Sequence, residues 1–143
     1  MTLKTNKENA GSADSIINMA KDSNLKHLVL VEDSLTGFLE AKKNCGEEGI
    51  KLIFGLRVSI CNKIEDKEDQ SNHKIVIFPK NSKGCILLNQ ISTELQLKGE
   101  GRLDMNMVEN LWSENDLKMC VPFYDSFIYN NAFSFSNCVP SFE

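Results

Sequence analysis

The first strong strand signal in the chain is the run His27-Leu-Val-Leu-Val31. It is rich in branched apolar side chains and has no polar alternation, a pattern that predicts a strand buried on both faces. Further along the chain, three more apolar runs predict strands, and these cover Lys51 to Cys61, Lys74 to Phe78 and Leu117 to Val121. An isolated glycine in the second run, Gly55, favours a bend there.

The segments between these runs have the apolar spacing of amphipathic helices. The predicted helix N-caps are, in chain order, Asp14, Ser34, Asn81 or Ser82, and Asp104. Residues 62–72 contain several charged side chains and almost nothing apolar, which predicts a mobile surface loop. A glycine-containing turn is expected directly before Asp104.

Helices and strands therefore alternate along most of the chain, and this order predicts an α/β fold built from parallel βα units. A closed βα barrel takes about 250 residues. The chain has 143 residues, so we expect a partial TIM-like barrel or an open sheet. The expected organisation is a polar N-terminal tail over 1–13, a βα module over 14–121, and an aromatic C-terminal segment over 122–143.

Composition excludes several classes of function. The chain has 16 Lys and Arg against 20 Asp and Glu, and a formal charge of −4, so direct nucleic-acid binding is not expected. No window approaches the roughly 18 apolar residues of a spanning helix, and the N-terminus has no apolar signal core. We expect a cytoplasmic protein with no membrane contact. The five cysteines are predicted to be small buried side chains rather than a disulfide framework.

The candidate chemistry lies beyond the carboxyl ends of the predicted strands, where parallel βα proteins place their reactive groups. Glu32 and Asp33 follow the first strand, and Asp125 follows the last, so these carboxylates are candidate Mg²⁺ or Mn²⁺ ligands for hydrolysis of phosphoesters. The alternative is that Asp33 and Ser34 only cap the next helix. His27 and His73 precede strands and are therefore predicted to be surface residues at the opposite end of the sheet.

Two resemblances add to these observations. The first covers Leu28-Val-Leu-Val-Glu-Asp-Ser-Leu-Thr36, which resembles the opening of a response-regulator receiver domain, where paired acids bind Mg²⁺ beside a phosphorylated aspartate. That family needs the aspartate after the third strand, and neither Cys61 nor Pro79 can accept a phosphoryl group. A receiver-like signalling domain is therefore the weaker alternative.

The second resemblance covers roughly residues 14 to 121. Gly37 to Val58 resembles the stretch "GAxEFYxxAKxxGIKPIIGCEVYV" of bacterial DNA polymerase III alpha subunits. At the right distance, Ile75 to Gly84 is similar to "HLxLLAKNxxGYxNL", and Gly101-Arg-Leu-Asp104 resembles "PRID". These pieces belong to the N-terminal PHP (polymerase and histidinol phosphatase) domain, and residues 121–127 are similar to a phage-type branch of it.

The resemblance implies a PHP scaffold without its metal centre. Val31 and Glu32 occupy the Asp-His positions of the family's "TDHG" motif, Arg57 replaces the glutamate of "GCEV", and Lys74 replaces a histidine. Lost ligands and introduced cations disfavour a metal cluster. The resemblance therefore implies a non-catalytic module with no cofactor and a structural or docking role in DNA replication.

The C-terminal segment is the expected contact with a partner. Most aromatic residues of the chain lie there, and side chains this dense favour burial. The partner would be a DNA polymerase, another replisome protein or a separately encoded polymerase fragment. The alternative is that the segment buries itself against its own domain. The predicted contact residues are Phe123, Tyr124, Phe127, Tyr129, Phe133 and Phe135.

Overall fold

The computed structural model describes residues 15–69, 71–97 and 101–123, which form a mixed α/β protein with an open sheet. The chain divides into two compact units, unit 1 ending at Gly55 and unit 2 beginning at Leu56. The predicted tail over 1–13 and most of the aromatic segment lie outside the described residues. In chain order the elements are α1 (Ile16–Asp22), β1 (His27–Glu32), α2 (Phe38–Glu47), β2 (Lys51–Cys61), β3 (His73–Pro79), α3 (Ser82–Leu97), β4 (Arg102–Asp104), α4 (Met105–Leu111) and β5 (Leu117–Cys120).

Unit 1 is organised around one apolar cluster to which α1, β1, α2 and the first half of β2 all contribute. Its N-terminal helix is capped by Ser15, whose hydroxyl oxygen accepts a hydrogen bond from the Asn18 N–H at 3.2 Å. The fully or nearly fully buried members of the cluster are Ile17, Ala20, Leu28, Leu30, Ala41, Cys45, Ile50 and Phe54. The N–H of Lys51 donates to the carbonyl of Lys26 at 2.9 Å, so β1 and β2 begin side by side.

Three expectations for unit 1 are wrong. Helix α1 is capped by Ser15 and not by Asp14. Helix α2 does not begin at Ser34: it begins after Gly37, which has no side chain to cap it, while the Ser34 hydroxyl contacts Thr36 at 3.2 Å. Strand β1 is buried on one face only, because the apolar cluster takes Leu28 and Leu30, whereas Val29 is 55% exposed and Val31 is 37% exposed.

Unit 2 contains the second half of β2, which lies between two other strands. Strand β2 pairs antiparallel with β3, with Ser59 opposite Lys74 and Arg57 opposite Val76. It also pairs parallel with β4, with Ser59 opposite Arg102. Strand β3 in turn pairs antiparallel with β5, with Val76 opposite Cys120.

The antiparallel pairs correct the expectation that this sheet is built from parallel βα units. Parallel neighbours need a crossover of about a dozen residues, usually a helix, whereas consecutive strands joined by a loop can pair antiparallel. Residues 62–72, which join β2 to β3, contain no helix among the described positions. Strand β4 was also not expected, because only three residues form it where the sequence predicts a turn.

The two faces of the unit 2 sheet differ in the side chains that they carry, and three residues of the more polar face, Cys61, Val76 and Asp104, are also buried. Successive residues of a strand point to opposite faces, so the register places Leu56, Val58, Ile60, Ile75 and Ile77 together on one face, and all five are at most 2% exposed. Helix α3 contacts β3 and β4 and buries Leu88, Ile91 and Leu95. We call this the buried face and the opposite one the polar face, which carries Arg57, Ser59, Cys61, Lys74, Val76, Phe78, Arg102, Asp104, Lys118 and Cys120.

A tight corner joins β3 to α3. The Asn81 side-chain oxygen accepts from the Gly84 N–H at 3.0 Å, which confirms Asn81 as the cap of α3. The Asn81 amide also donates to the Asp116 carboxylate at 2.8 Å, and the N–H of Lys80 donates to the Asp116 carbonyl at 2.8 Å. The Ser113 hydroxyl and the Asn81 amide hold the pKa of the Asp116 carboxyl below its usual range. These hydrogen bonds therefore hold the start of α3 against the turn that precedes β5.

Candidate functional site

The polar face brings together two positions at which the PHP resemblance implies a replaced metal ligand. Arg57 and Lys74 come from different strands, and the register makes them diagonal neighbours on this face, where Cα atoms lie about 7–8 Å apart. Both side chains are half-buried. The amino group of Lys74 donates a hydrogen bond to the Ser59 hydroxyl directly opposite. Two cations therefore lie on the same sheet face, at two positions where the resemblance implies lost metal ligands.

Arg102 anchors the loop at one edge of this face. One guanidinium nitrogen, Nη1, donates to the carbonyl of Asp69 at 2.7 Å and to the carbonyl of Ser71 at 3.4 Å. Arg102 lies opposite Ser59 on β4, and its charge acts on the nearby Cys61 thiol together with the charges of Asp69 and Asp104. Arg102 is thus surrounded by protein oxygens and serves to hold the loop.

The Asp69 carboxylate organises the loop over 62–71. Its Oδ2 accepts from the Asn62 N–H at 2.8 Å and the Lys63 N–H at 3.0 Å, and its Oδ1 accepts from the Ser71 N–H at 2.8 Å and from the Ser71 hydroxyl. The Ser71 hydroxyl, with these backbone N–H groups, holds the pKa of the Asp69 carboxyl well below its usual range. The charged composition of this segment predicts a mobile loop, but a local hydrogen-bond network around Asp69 holds its backbone.

Replacing Asp69 with asparagine is expected to lower the free energy of unfolding by about 1 kcal/mol at pH 7, because hydrogen bonds to a charged group are worth about 1.5–3 kcal/mol and solvent screens this exposed loop. The depressed pKa stabilises the fold above about pH 4 and this contribution fades as the pH falls below the ordinary value. In urea unfolding at pH 7, 4 and 2.5, the difference in unfolding free energy between the variant and the wild type should shrink as the pH falls. Asp66→Asn in the same loop is the control, and a difference that does not change with pH would contradict the assignment.

Two further polar groups on this face have structural roles. Asp104 is 8% exposed, and its carboxylate accepts from the Met107 N–H at 3.0 Å, which confirms it as the cap of α4, and from the Ile64 N–H at 3.4 Å. Cys61 is buried, its thiol donates to the Leu103 carbonyl at 3.5 Å, and burial raises its pKa. A thiol with a raised pKa is a poor nucleophile at neutral pH.

The candidate metal ligands lie elsewhere. Glu32 and Asp33 are exposed at the end of β1 in unit 1, and Val31 beside them lies on the face of β1 away from the apolar cluster. Asp125 lies outside the described residues. Among the positions that the structure describes, no group of three or more His, Cys, Asp and Glu side chains is arranged to hold a metal ion.

Other sequence expectations have mixed outcomes. Cys45 and Cys61 are buried as expected, whereas Cys85 is half-buried, Cys120 is exposed, and Cys138 is not among the described residues. His73 is 9% exposed, so the expectation of a surface histidine is wrong for it. Of the expected partner contacts only Phe123 is described, and it is 48% exposed. The other five, Tyr124, Phe127, Tyr129, Phe133 and Phe135, fall outside the described part of the chain.

Comparisons with known proteins do not assign this chain to a family. No protein-family model matches it, and no curated protein matches it. None of the helices within the described ranges is both long enough and apolar enough to cross a membrane.

Proposed function

We propose that this chain is a non-catalytic module of the PHP type, related to the N-terminal domain of DNA polymerase III alpha subunits, and that it acts by contact within a replisome. Its partner would be a polymerase, another replisome protein or a separately encoded polymerase fragment. In this proposal the module represents part of a TIM-like barrel, and it needs no resident metal ion.

One observation carries the proposal. Arg57 and Lys74 lie on separate segments of the sequence, each aligned with a metal ligand of the family, and the register puts them on the same face of the sheet. Helix α3 packs on the other side. In a βα barrel the helices lie outside, so the polar face is the one that such a barrel turns inward. Cations at both positions disfavour divalent metal binding there.

The β3–α3 corner offers a second support. The resemblance to "AKNxxGYxNL" rests partly on Lys80, Asn81 and Gly84. All three contact or closely approach the turn over residues 113–116. These residue types therefore have a structural reason to occur together at this spacing. Strand β3 runs antiparallel to both of its neighbours, β2 and β5, which departs from an all-parallel barrel, so the proposal treats the module as a partial one.

The proposal is tested in two assays on the full chain. With Mn²⁺ or Mg²⁺ we expect no hydrolysis of bis(4-nitrophenyl) phosphate, and turnover that Glu32→Gln abolishes would instead support the phosphoesterase alternative. When co-expressed with the polymerase III alpha subunit of its own genome, the chain should co-purify with it.

The aromatic segment should determine that co-purification. Replacing Tyr124, Phe127 and Tyr129 together with serine is expected to reduce recovery at least fivefold, because aromatic side chains dominate the energetics of most interfaces. Leu39→Ser, at a 75% exposed position on α2, is the control and should leave recovery unchanged. Equal recovery of all three proteins would contradict a contact through this segment.

A further inference from the structure

Helix α3 has an exposed stripe on the side that faces away from the sheet. At 3.6 residues per turn, positions 86, 90, 93 and 97 fall within about 60° of one another around the helix axis, opposite the buried residues of the same helix. Ile86 is 60% exposed and Leu97 is 78% exposed, and the two polar residues between them are exposed as well. We call these four residues the outer stripe: Ile86, Gln90, Thr93 and Leu97.

The outer stripe lies on a helix with few charges. Only two of the 16 residues of α3, Lys83 and Glu94, are charged, whereas 25% of the whole chain is charged. A helix face that meets only water normally carries charged side chains, as α2 does with Lys42 and Lys43. The core of a protein–protein interface is depleted of charged residues. The composition of the outer stripe is therefore that of an interface.

A groove at the outer stripe gives an incoming helix a place to insert side chains. Its volume is about 340 Å³, and one of its walls, Leu111, comes from the neighbouring helix α4. The surface at this point is therefore concave, which allows the close packing that interface cores need. The residues that line the groove are Ile86, Asn89, Gln90, Thr93, Glu94 and Leu111.

The order of residues along the outer stripe is self-complementary. Its spacing of four, three and four residues is that of the contact positions of paired helices. In a two-fold pair, each contact between two positions occurs twice, once in each direction. Two antiparallel copies of α3 place Ile86 opposite Leu97 and Gln90 opposite Thr93, because both pairs share one midpoint on the helix. Apolar residues then meet apolar residues, and polar residues meet polar ones.

The polar pair at the centre can form a hydrogen bond between the two copies. The Thr93 hydroxyl donates to the Asn89 carbonyl at 2.8 Å within its own helix. Its oxygen keeps the capacity to accept, and the Gln90 amide of the second copy is the donor that the antiparallel pairing brings opposite it. The match between the stripe and its own reversed copy is the argument for a second copy as the occupant.

We propose that the outer stripe is a homodimer interface in which two α3 helices pack antiparallel about a two-fold axis. The contact involves far fewer than the roughly 20–30 residues a side of a standard interface. We therefore expect a weak dimer with a dissociation constant on the order of 0.1 mM. The protein is then monomeric at the low micromolar concentrations used in unfolding experiments. This proposal goes beyond the proposed function and does not depend on it.

Sedimentation equilibrium of the full chain, from about 5 µM to about 1 mM, tests the proposal across this affinity range. A reductant is included because Cys120 is exposed. We expect the average mass to rise from monomer towards dimer. The double variant Ile86→Lys/Leu97→Lys should associate at least tenfold more weakly, because it places lysine opposite lysine at both ends of the contact. Lysine is a good helix former, and circular dichroism checks that the variant folds.

The matched control changes two exposed apolar residues on the helices of unit 1. Met19 is 49% exposed and Leu39 is 75% exposed. The variant Met19→Lys/Leu39→Lys has the same net charge as the α3 double variant, and it should associate as the wild type does.

A mixture of two single variants tests the antiparallel pairing. When chains with Ile86→Lys are mixed with chains with Leu97→Glu, the antiparallel dimer brings each new lysine opposite a new glutamate. The mixture should therefore associate more strongly than either variant alone. A parallel pair would not bring the two charges together.

Several outcomes would overturn the homodimer proposal. They are a monomer at every concentration, equal weakening in both double variants, and a mixture that associates no better than its components. Association that appears only after Tyr124, Phe127 and Tyr129 are replaced with serine would show that the aromatic segment covers the stripe instead. A monomeric chain whose recovery with the polymerase falls in the α3 double variant would make the stripe a polymerase contact. Loss of polymerase recovery in the wild type would refute the proposed function and leave the homodimer untouched.

Discussion

Gly84→Ala is expected to lower the free energy of unfolding by about 3 kcal/mol, at the upper end of the cost of overpacking. A Cβ atom at this position would overlap the carbonyl oxygen of Asp116 and lie 3.2 Å from the Cα of Pro79. Both are backbone atoms, and the Asp116 carbonyl is already bonded to the Lys80 N–H at 2.8 Å. Neither side of the corner can yield without breaking a hydrogen bond or moving α3 away from β3.

Thermal unfolding followed by circular dichroism measures this effect, and the expected loss corresponds to a fall in melting temperature of about 6–12 °C. Gly46→Ala is the matched control, because this glycine lies in the last turn of α2 and a Cβ there meets nothing within 4 Å. That substitution should stabilise the protein by up to about 1 kcal/mol, since alanine is the better helix former. If the Gly84→Ala protein had the same melting temperature as the wild type, α3 would not pack this closely on the corner.

Ile77→Ala is expected to cost about 2–5 kcal/mol, the usual range for removing this much of a buried side chain. Ile77 is 0% exposed and lies in β3, between β2 and β5, on the face that α3 covers. The cavity that the substitution leaves is bounded by strands on both sides, so the surroundings have little freedom to collapse into it.

The measurement is urea unfolding of both the variant and a control with the same chemical change. Ile86→Ala removes an identical side chain from a position on α3 that is 60% exposed, and it should change the free energy of unfolding by less than about 0.5 kcal/mol. If the two variants were equally destabilised, the assignment of the buried and polar faces would be wrong.

The positions of most elements follow from the sequence, whereas their pairing does not. Apolar runs locate β1, β2, β3 and β5, and short polar side chains locate the starts of α3 and α4 at Asn81 and Asp104. Strand β4 is only three residues long, too short for its side-chain alternation to be recognised. The alternation of helices and strands predicts parallel pairing. However, no helix is predicted between β2 and β3, and two consecutive strands joined only by a loop favour an antiparallel pair.

The candidate site was predictable only in part. Periodicity predicts that Arg57 and Ser59 share a face of β2, but which residues of β3 lie beside them depends on the register, and the register depends on the loop over 62–72. That loop is shaped by Asp69, which sequence reasoning missed. Its signal was an aspartate followed two residues later by Ser71, a spacing at which an aspartate side chain bonds to the backbone. The one-sided burial of β1 was missed because a run of branched apolar residues does not reveal whether a second layer covers it.

The hydrogen bonds around Asp69 also limit how the loop between β2 and β3 can be engineered. By composition it looks like the natural place for an epitope, a fluorescent label or a circular-permutation break, since it is polar and joins two neighbouring strands. Tolerance of such changes depends on the backbone bonds that they disturb. Here the backbone N–H groups of Asn62, Lys63 and Ser71 all donate to the Asp69 carboxylate, and the Arg102 guanidinium donates to the Asp69 carbonyl. An inserted tag would separate donors from their shared acceptor, so labels are better attached to exposed side chains on α2 or α3.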